Sequence, residues 1–251
     1  MKTQKLLFLI LFLPLFGSAQ SWNPGQMIIF KRPASAVISP DGNLVAYTVS
    51  TPIMEGEKSE YLTHIWMART DGSMNRQYTF GEKSCSNIQF SPDNKYLTFT
   101  SSRKDTIQLY LMALDGGEAE AITNQKTNIG SHAWSPDGKS IAFLMAEPLS
   151  GKEEQDIKEK RDMELVDGHY RNSHLYVLTF QRNTKGEYPV KRITSGDFHI
   201  TELNWSPDSK TIAFSHQLSP SADIWSTSDI SCVPADSGSV RLLVNNKGRD
   251  H

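Results

Sequence analysis

A Ser-Pro-Asp turn followed by a short apolar run occurs four times in this chain of 251 residues. In every copy a large apolar residue precedes the serine, and an aromatic residue lies six positions after the aspartate. Proline favours the second position of a type I turn, aspartate stabilises the turn through its side chain, and glycine or asparagine tolerates the left-handed backbone that follows. Four copies with the same flanking residues predict a repeat architecture built from β-hairpins. The copies are Ile38–Tyr47, Phe90–Phe99, Trp134–Phe143 and Trp205–Phe214.

Each repeat continues with two further strand candidates, whose alternation of apolar and polar residues is typical of β-structure. The third strands are predicted at His64–Ala68, Gln108–Met112, His174–Leu178 and Asp229–Val233. The fourth strands are predicted at Asn75–Thr79, Ala119–Thr123, Val190–Thr194 and Val240–Val244. Four antiparallel strands per repeat form the blade of a β-propeller. The sequence therefore predicts an all-β fold of four consecutive four-stranded blades, with equivalent positions for Tyr47, Phe99, Phe143 and Phe214.

The spacing of the turns predicts where the blades begin and end. The step is 52 residues from Asp41 to Asp93, 44 from Asp93 to Asp137 and 71 from Asp137 to Asp208. Common propeller repeats are about 40–50 residues long, so the third repeat carries an insertion. The predicted partial propeller covers residues 34–251, with blades at about 34–80, 85–124, 131–195 and 200–245 and the insertion at 147–172.

The insertion is densely charged from Lys152 to Glu164. Glu154 with Lys158, and Asp156 with Lys160, are four residues apart in the order that supports an exposed helix. We therefore expect a solvated helix or loop between the second and third strands of blade 3.

The first residues have the pattern of a secretory signal peptide at 1–19, with a basic start, an apolar run and small residues before a cleavage site after Ala19. An uncleaved anchor is the alternative, although the apolar run is shorter than the about 20 residues that span a bilayer. The mature chain would be secreted or periplasmic. Residues 20–33 are expected to contain a short helix that begins at Asn23 and Pro24, ahead of a first strand at Ala34.

Composition limits the partners and cofactors. With 26 Lys and Arg against 28 Asp and Glu, a net charge of −2 provides no electrostatic basis for binding nucleic acid or an anionic membrane. The seven histidines show no paired metal-ligand spacing, and no Gly-rich loop leads into a helix, so neither a metal nor another cofactor is predicted. Cys85 and Cys232 fall in different repeats and are expected to be separate thiols, a disulfide being the alternative.

Catalytic residues are not predicted either, because the chain contains no G-x-S-x-G motif for a serine nucleophile. The sequence stops where another first strand should begin, so we expect part of a seven- or eight-bladed ring, with a closed four-bladed ring as the alternative. An incomplete ring would leave the outer faces of the first and last blades open to self-association. The last blade is expected to expose some of the side chains of Trp205, Ile212, Phe214, Ile230 and Leu242.

The repeated Ser-Pro-Asp turns, the exported start and two further stretches resemble the N-terminal propeller of the prolyl oligopeptidase family. The two stretches are Tyr170–Tyr176 and Ser226–Ile230, and the resemblance covers about residues 22–251. It is most similar to the secreted dipeptidyl and acylaminoacyl peptidases. The resemblance implies a propeller that caps a C-terminal α/β-hydrolase domain and restricts access to short peptides, while the catalytic serine, aspartate and histidine would lie in that absent domain.

Some members of this family bind the free amino terminus of a substrate with paired glutamates on a propeller insertion. Glu153 and Glu154 occupy a comparable insertion, although the residues around them match that motif poorly. They are the candidate substrate-binding residues of this chain. The alternative function is a non-enzymatic binding module, since periplasmic Tol-type propellers use similar Ser-Pro-Asp-Gly repeats to bind partner proteins.

Overall fold

A computed structural model describes residues 29–55, 58–160, 170–221, 224, 227–236 and 238–244. The contacts divide the chain into two compact units, residues 1–30 and residues 31–251. Of the first unit only Ile29 and Phe30 are described, and neither is helical. The predicted signal peptide and the start of the predicted helix therefore lie outside the described residues. The strands below all belong to the second unit.

Four antiparallel sheets of four strands follow one another along the chain, as the repeats predict. Blade 1 contains β1 (Arg32–Ile38), β2 (Leu44–Glu55), β3 (Lys58–Arg69) and β4 (Asn75–Gln77). Blade 2 contains β5 (Cys85–Phe90), β6 (Tyr96–Ser101), β7 (Gln108–Ala113) and β8 (Glu120–Ala121). Blade 3 contains β9 (Ile129–Trp134), β10 (Ser140–Ala146), β11 (Ser173–Thr179) and β12 (Val190–Arg192), with helix α1 (Gly151–Lys158) between β10 and β11. Blade 4 contains β13 (His199–Trp205), β14 (Thr211–Gln217), β15 (Asp229–Pro234) and β16 (Arg241–Val244).

Within every blade the strands pair in chain order, and the first strands of consecutive blades lie beside one another. This is the arrangement of propeller blades around an axis. The aromatic residue after each turn takes the same place in its sheet: Tyr47 pairs with Trp66, Phe99 with Tyr110, Phe143 with Tyr176 and Phe214 with Ser231. The predicted equivalence of these four residues is confirmed.

The Ser-Pro-Asp turn is closed by its own side chains in the same way in all four blades. In blade 3 the Ser135 hydroxyl donates to Asp137 Oδ1 at 2.6 Å and accepts from the Ser140 backbone N–H at 3.0 Å. Asp137 Oδ1 also accepts from the Lys139 backbone N–H at 3.1 Å. The residue after the aspartate has a left-handed backbone, with φ of 74° at Gly42, 58° at Asn94, 70° at Gly138 and 61° at Ser209.

Each pair of consecutive blades encloses its own apolar core, because alternate residues of a strand face opposite neighbours. In β10, Phe143 packs toward blade 2 whereas Ala142 packs toward blade 4. The residue before the turn and the aromatic residue after it always face the preceding blade, as Trp205 and Phe214 do against blade 3. Consequently Trp205, Ile212 and Phe214 are buried, so these three are not among the side chains that the last blade exposes. Ile230 and Leu242 are exposed as expected.

The fourth strands are shorter than predicted, because a threonine ends the ladder in three blades. Thr79 Oγ1 accepts from the Ile65 backbone N–H at 2.8 Å, where a further strand residue would have used a carbonyl. Thr123 and Thr194 accept from Leu109 and Leu175 in the same way, both at 2.9 Å. Such a side-chain acceptor replaces one ladder bond and releases the chain toward the next blade.

Other details differ from the expectation in blade 1 and in the insertion. Strand β1 begins at Arg32, two residues before the predicted start, and β2 and β3 form a hairpin much longer than the predicted third strand. Helix α1 ends at Lys158, so Lys160, with a φ of 54°, lies beyond the helix that was expected to include it. Cys85 and Cys232 are both buried and unbridged, as predicted.

In blades 2 and 4 the side chain of the left-handed residue also reaches the turn of the preceding blade. Asn94 Oδ1 accepts from the Asp41 backbone N–H at 3.2 Å, and Ser209 Oγ accepts from the Asp137 backbone N–H at 3.0 Å. Gly138 has no side chain to do the same for blade 2, although a Cβ built there would lie 4.0 Å from Pro92 Cδ. The contact between blades 2 and 3 thus lacks one hydrogen bond that its neighbours have.

We predict that Gly138→Asn stabilises the protein, because Asn tolerates the left-handed backbone and would accept from the Asp93 N–H. The expected gain is about 0.5–1 kcal/mol in the free energy of unfolding. Gly42→Asn is the matched control, since Gly42 has the same backbone but nothing within 4 Å of its built Cβ. Urea denaturation of both variants measures the difference. Equal effects of the two substitutions would contradict the interblade bond.

Candidate functional site

The two ends of the propeller differ in their connections. Antiparallel strands alternate in direction, so the turn between strands 1 and 2 of a blade and the turn between strands 3 and 4 lie at the same end of the propeller. We call this end, which carries the short Ser-Pro-Asp turns, the turn end. The connections between strands 2 and 3 of each blade lie at the opposite end, which we call the loop end. There blade 1 extends its long hairpin and blade 3 carries the connection of residues 147–172 with helix α1. Elements that vary in length on a regular scaffold are the usual carriers of function.

A groove of about 620 Å³ lies at the loop end beneath the hairpin of blade 1. The distal hairpin forms one wall with Ile53, Met54 and Tyr61, and the β4–β5 connection forms the other with Glu82 and Lys83. The lining mixes the exposed apolar side chains of Met54 and Tyr61 with charged residues from both the hairpin and the β4–β5 connection. Such a surface can hold an extended chain with mixed side chains.

The predicted substrate-binding pair lies at the start of helix α1, and the structure gives each glutamate a local partner. Glu153 completes a capping box: its carboxylate accepts from the Ser150 backbone N–H at 2.7 Å, and its own N–H donates to Ser150 Oγ at 3.3 Å. Glu154 Oε1 lies 3.6 Å from Lys126 Nζ, in the connection that leads into β9. The helix is thus fixed at its beginning and tied to its own blade.

A second polar cluster, which the sequence did not indicate, lies where the insertion leaves and re-enters blade 3. Arg192 Nη2 donates to Glu147 Oε1 at 2.6 Å, and His174 Nε2 lies 3.4 Å from the same oxygen without hydrogen-bond geometry. His174 Nδ1 is 3.4 Å from Thr194 Oγ1. Nearby, the Ser173 backbone N–H donates to His199 Nδ1 at 3.0 Å.

Burial lowers the pKa of His174 to about 4, with Arg192 acting in the same direction and Glu147 opposing it. His174 is therefore neutral at ordinary pH, while Glu147 and Arg192 are half-exposed charges held in a fixed geometry. Such a pair can orient a polar ligand through a carboxylate oxygen and a guanidinium. Sequence analysis missed it because Glu147, His174 and Arg192 come from three strand ends; the only signal was a charge at the first residue of the insertion.

A serine, a histidine and an aspartate come together inside blade 4. His216 Nε2 lies 2.8 Å from Ser231 Oγ, and Asp229 is the cross-strand neighbour of His216. Burial lowers the pKa of His216, and Asp229 opposes that shift. A nucleophile must reach its substrate, yet Ser231 is only 1% exposed. The arrangement is a buried hydrogen-bonded contact on the face toward blade 3.

His132 is buried between blades 2 and 3, with Nε2 2.9 Å from Thr98 Oγ1. The Trp134 indole N–H donates to the same hydroxyl at 2.9 Å. His132 Nδ1 has no hydrogen-bond partner, and burial lowers the pKa of His132 to about 3.

The described residues contain no group of three or more potential metal ligands. None of the helices in this part of the chain is long and apolar enough to cross a membrane.

No protein-family model matches the chain. It is 31% identical over 208 residues to the uncharacterized peptidase YuxL of Bacillus subtilis, an alignment that covers 76% of this chain and 30% of YuxL. It is 24% identical over 236 residues to dipeptidyl-peptidase 5 of Porphyromonas gingivalis, covering 83% of this chain and 34% of that protein. The chain therefore spans about a third of the length of these relatives.

The solved structure of Pyrococcus horikoshii acylaminoacyl peptidase superimposes with a TM-score of 0.61 at 18% identity, covering 89% of this chain and 34% of that chain. The resemblance to the prolyl oligopeptidase family is confirmed. The structural match covers about a third of that peptidase and shows that the blades of this chain share its fold there. A likeness to TolB also exists: the Acinetobacter baumannii structure has a TM-score of 0.51 at 15% identity, covering 87% of this chain and 55% of that chain.

We predict that replacing Glu153 by Gln in the whole protein distinguishes its two possible roles, capping helix α1 and binding a substrate ammonium group. Glu153→Gln keeps an acceptor for the Ser150 N–H, so it leaves peptide binding unchanged if Glu153 only caps the helix. If Glu153 binds a substrate ammonium, the same change raises KM by tenfold or more, since a charged hydrogen bond contributes about 1.5–3 kcal/mol. We expect the first result, measured as KM for free-amine and N-acylated peptides. Glu154→Gln, the other member of the candidate pair, is measured in the same way and is expected to leave KM unchanged as well.

We predict that the free energy of unfolding falls as the pH drops below 6.5, the ordinary pKa of histidine. Below this pH the unfolded chain binds a proton at His132, whereas the folded chain, with a pKa of about 3 for His132, does not. The expected slope from this residue is about 1.4 kcal/mol per pH unit. His132→Gln should remove that slope between pH 6 and 4.5 in urea denaturation, whereas His216→Gln, at a less buried site, should remove less. An unchanged slope in the His132 variant would disprove the assignment.

Proposed function

We propose that this chain is the substrate-gating propeller portion of a secreted serine peptidase of the prolyl oligopeptidase family that acts on short peptides. The observation that carries the proposal is the alignment with YuxL, at 31% identity over 208 residues. The likeness to dipeptidyl-peptidase 5 and to acylaminoacyl peptidase supports the same reading. In this proposal the hydrolase domain supplies catalysis, and the blades control which peptides reach it.

The unequal ends of the propeller support a gating role. The turn end carries four similar short turns, while the loop end carries the long hairpin of blade 1 and the insertion of blade 3. A filter that selects peptides by size needs such projections at the rim, held by a scaffold that does not move. The capping box of α1 and its tie to Lys126 give the insertion that support.

Export is part of the proposal and rests on the pattern of residues 1–19, which lie outside the described part of the chain. The two cysteines fit an exported protein that does not depend on disulfides, because both are buried and unbridged. Short peptides in the cell envelope or outside the cell would be the substrates.

A Tol-type module that binds partner proteins is the second candidate. Its support is the 26% identity over 178 residues to TolB of Francisella tularensis and the fold likeness to TolB structures. The peptidase proposal is favoured because the sequence identity and the share of this chain that aligns are higher for YuxL than for TolB. The TM-score is also higher for acylaminoacyl peptidase than for the TolB structure. The 71-residue step in the third repeat also departs from compact repeats.

We predict that the reading frame that encodes this chain also encodes a G-x-S-x-G hydrolase domain, and that a fluorophosphonate probe labels the whole product but not residues 20–251. Sequencing past codon 251 and gel-based labelling test this together. Ser231→Ala is the control, since Ser231 contacts His216. Labelling of residues 20–251 that disappears in this variant would contradict the proposal, and a frame that ends after further blades would support the Tol-type candidate.

A further inference from the structure

A groove of about 360 Å³ lies between blades 1 and 2, beside their fourth strands. Blade 1 contributes Tyr78 and Phe80 to its lining, and blade 2 contributes Arg103 and Met112. Phe80 is 67% exposed, whereas Met112 is buried. The volume falls within the range of small-molecule sites. We call this concavity the rim groove; both of its walls are made by neighbouring blades of the described chain.

The guanidinium of Arg103 is held against the aromatic pair of blade 2. Its Cζ lies 5.6 Å from the centre of the Phe99 ring and 5.3 Å from the centre of the Tyr110 ring. The two rings are stacked, with centres 5.7 Å apart and planes 15° from parallel. A guanidinium close to aromatic rings is stabilised by cation–π attraction. The charge of Arg103 therefore has a defined position before a ligand binds, which lowers the entropic cost of binding.

The charge of Arg103 is not neutralised by the part of the chain that the structure describes. Its contacts there are the two rings, and no ion pair joins it to a described carboxylate. The arginine between blades 2 and 3 differs in this respect. Arg182 also lies over an aromatic ring, 4.7 Å from the centre of Tyr188, but it donates to both carboxylate oxygens of Glu120, at 2.8 and 2.7 Å.

Blade 3 shows which group fits beside an arginine in the environment of the rim groove. Its aromatic pair, Phe143 and Tyr176, is stacked with the same 5.7 Å separation and 15° angle as the pair of blade 2. Arg192 is the cross-strand neighbour of Tyr176, and its Nη2 donates to Glu147 Oε1 at 2.6 Å. In blade 3 the partner of the arginine is thus a carboxylate of the same blade.

Blade 2 has an arginine at the position where blade 3 has this carboxylate. Arg103 lies four residues after the phenylalanine of its aromatic pair, as Glu147 does in blade 3. Ala121 stands where blade 3 has Arg192. Blade 2 therefore keeps a guanidinium beside the aromatic pair without a described carboxylate to pair with it. A carboxylate supplied by a ligand would complete the arrangement that blade 3 makes by itself.

The other lining residues define the rest of the ligand. The exposed ring of Phe80 and the half-buried ring of Tyr78 offer apolar surface in the same groove as the guanidinium. The exposed Glu118 also lines the groove, so its charge disfavours a ligand with a second anionic group.

We propose that the rim groove binds an organic monocarboxylate that carries an apolar or aromatic group. The carboxylate accepts hydrogen bonds from Arg103, and the apolar group packs against Phe80. The C-terminal residue of a peptide and a free aryl-substituted acid share this chemistry. The inference goes beyond the proposed function and does not rest on it.

The test is the binding of N-acetylphenylalanine to the purified full-length protein, measured by isothermal titration calorimetry. Arg103→Gln should weaken this binding by about tenfold or more, because a charged hydrogen bond is lost. Arg103→Lys keeps the charge without the planar fork and should give an intermediate Kd. N-acetylphenylalaninamide, which lacks the carboxylate, should bind weakly to all three proteins. Arg182→Gln, in the neighbouring groove, is the matched control and should leave the Kd unchanged.

Phe80→Ala separates the two contacts of the ligand. It should weaken the binding of N-acetylphenylalanine but not that of N-acetylglycine, which has the carboxylate without the ring. The source of the ligand is distinguished with N-acetyl-Gly-Gly-Phe. Tighter binding of this peptide than of N-acetylphenylalanine indicates a peptide C terminus, and equal binding indicates a free acid.

Two results would overturn the proposal. The first is a wild-type protein that binds the acid no more tightly than the amide. The second is a folded Arg103→Gln variant with the Kd of the wild type. Circular dichroism melting shows whether the variant is folded, and Arg103→Met, which keeps an apolar stem against the rings, replaces it if it is not. None of these measurements involves peptide hydrolysis, so the peptidase proposal is judged separately.

Discussion

The hydrogen bond from the serine hydroxyl to the aspartate carboxylate in each turn is the interaction on which the repeat depends. It measures 2.6 Å in all four blades, and the same hydroxyl and carboxylate also accept backbone N–H groups of the returning strand. This bond is the main reason why the pKa of Asp41, Asp137 and Asp208 lies below its ordinary value. A hydrogen bond to a charged acceptor is stronger than a neutral one, so this bond favours the closed turn within each blade.

Because each turn is closed locally, the register between the first and second strands is fixed in every blade. This register also fixes the face to which each side chain points. A shift of one residue would move the whole apolar set to the wrong side. The small residue and the aromatic residue that follow each other in the second strand then face opposite blades. In β10, Ala142 and Phe143 contribute to different cores, so one strand connects two interfaces. The blade is thus a two-sided unit.

The turns, the blade count and most strand positions could be predicted from the sequence, because hairpin chemistry and alternation act over a few residues. The direction of each face could not be predicted, because an alternating pattern indicates that the two faces of a blade differ but not which neighbouring blade each face meets. The sequence therefore did not separate the buried Trp205 and Phe214 from the exposed Ile230. The shortened fourth strands were missed since a threonine that ends a ladder has the β-propensity of a strand residue. The cluster of Glu147, His174 and Arg192 depends on residues brought together only by the sheet.

The insertion shows why a regular scaffold can change its function at one point. Glu147 accepts from Arg192 of β12 at the place where the chain leaves the blade, and its backbone N–H bonds to the Asn172 carbonyl at 3.0 Å where the chain returns. The hydrogen bond between Glu147 and Asn172 therefore closes the end of the hairpin, whatever the length or sequence of the chain between these two residues. The cost of a longer closed loop grows only slowly with its length, by about 0.6 kcal/mol per doubling. Evolution can consequently lengthen or recompose residues 148–171 without disturbing the cores on either side of blade 3.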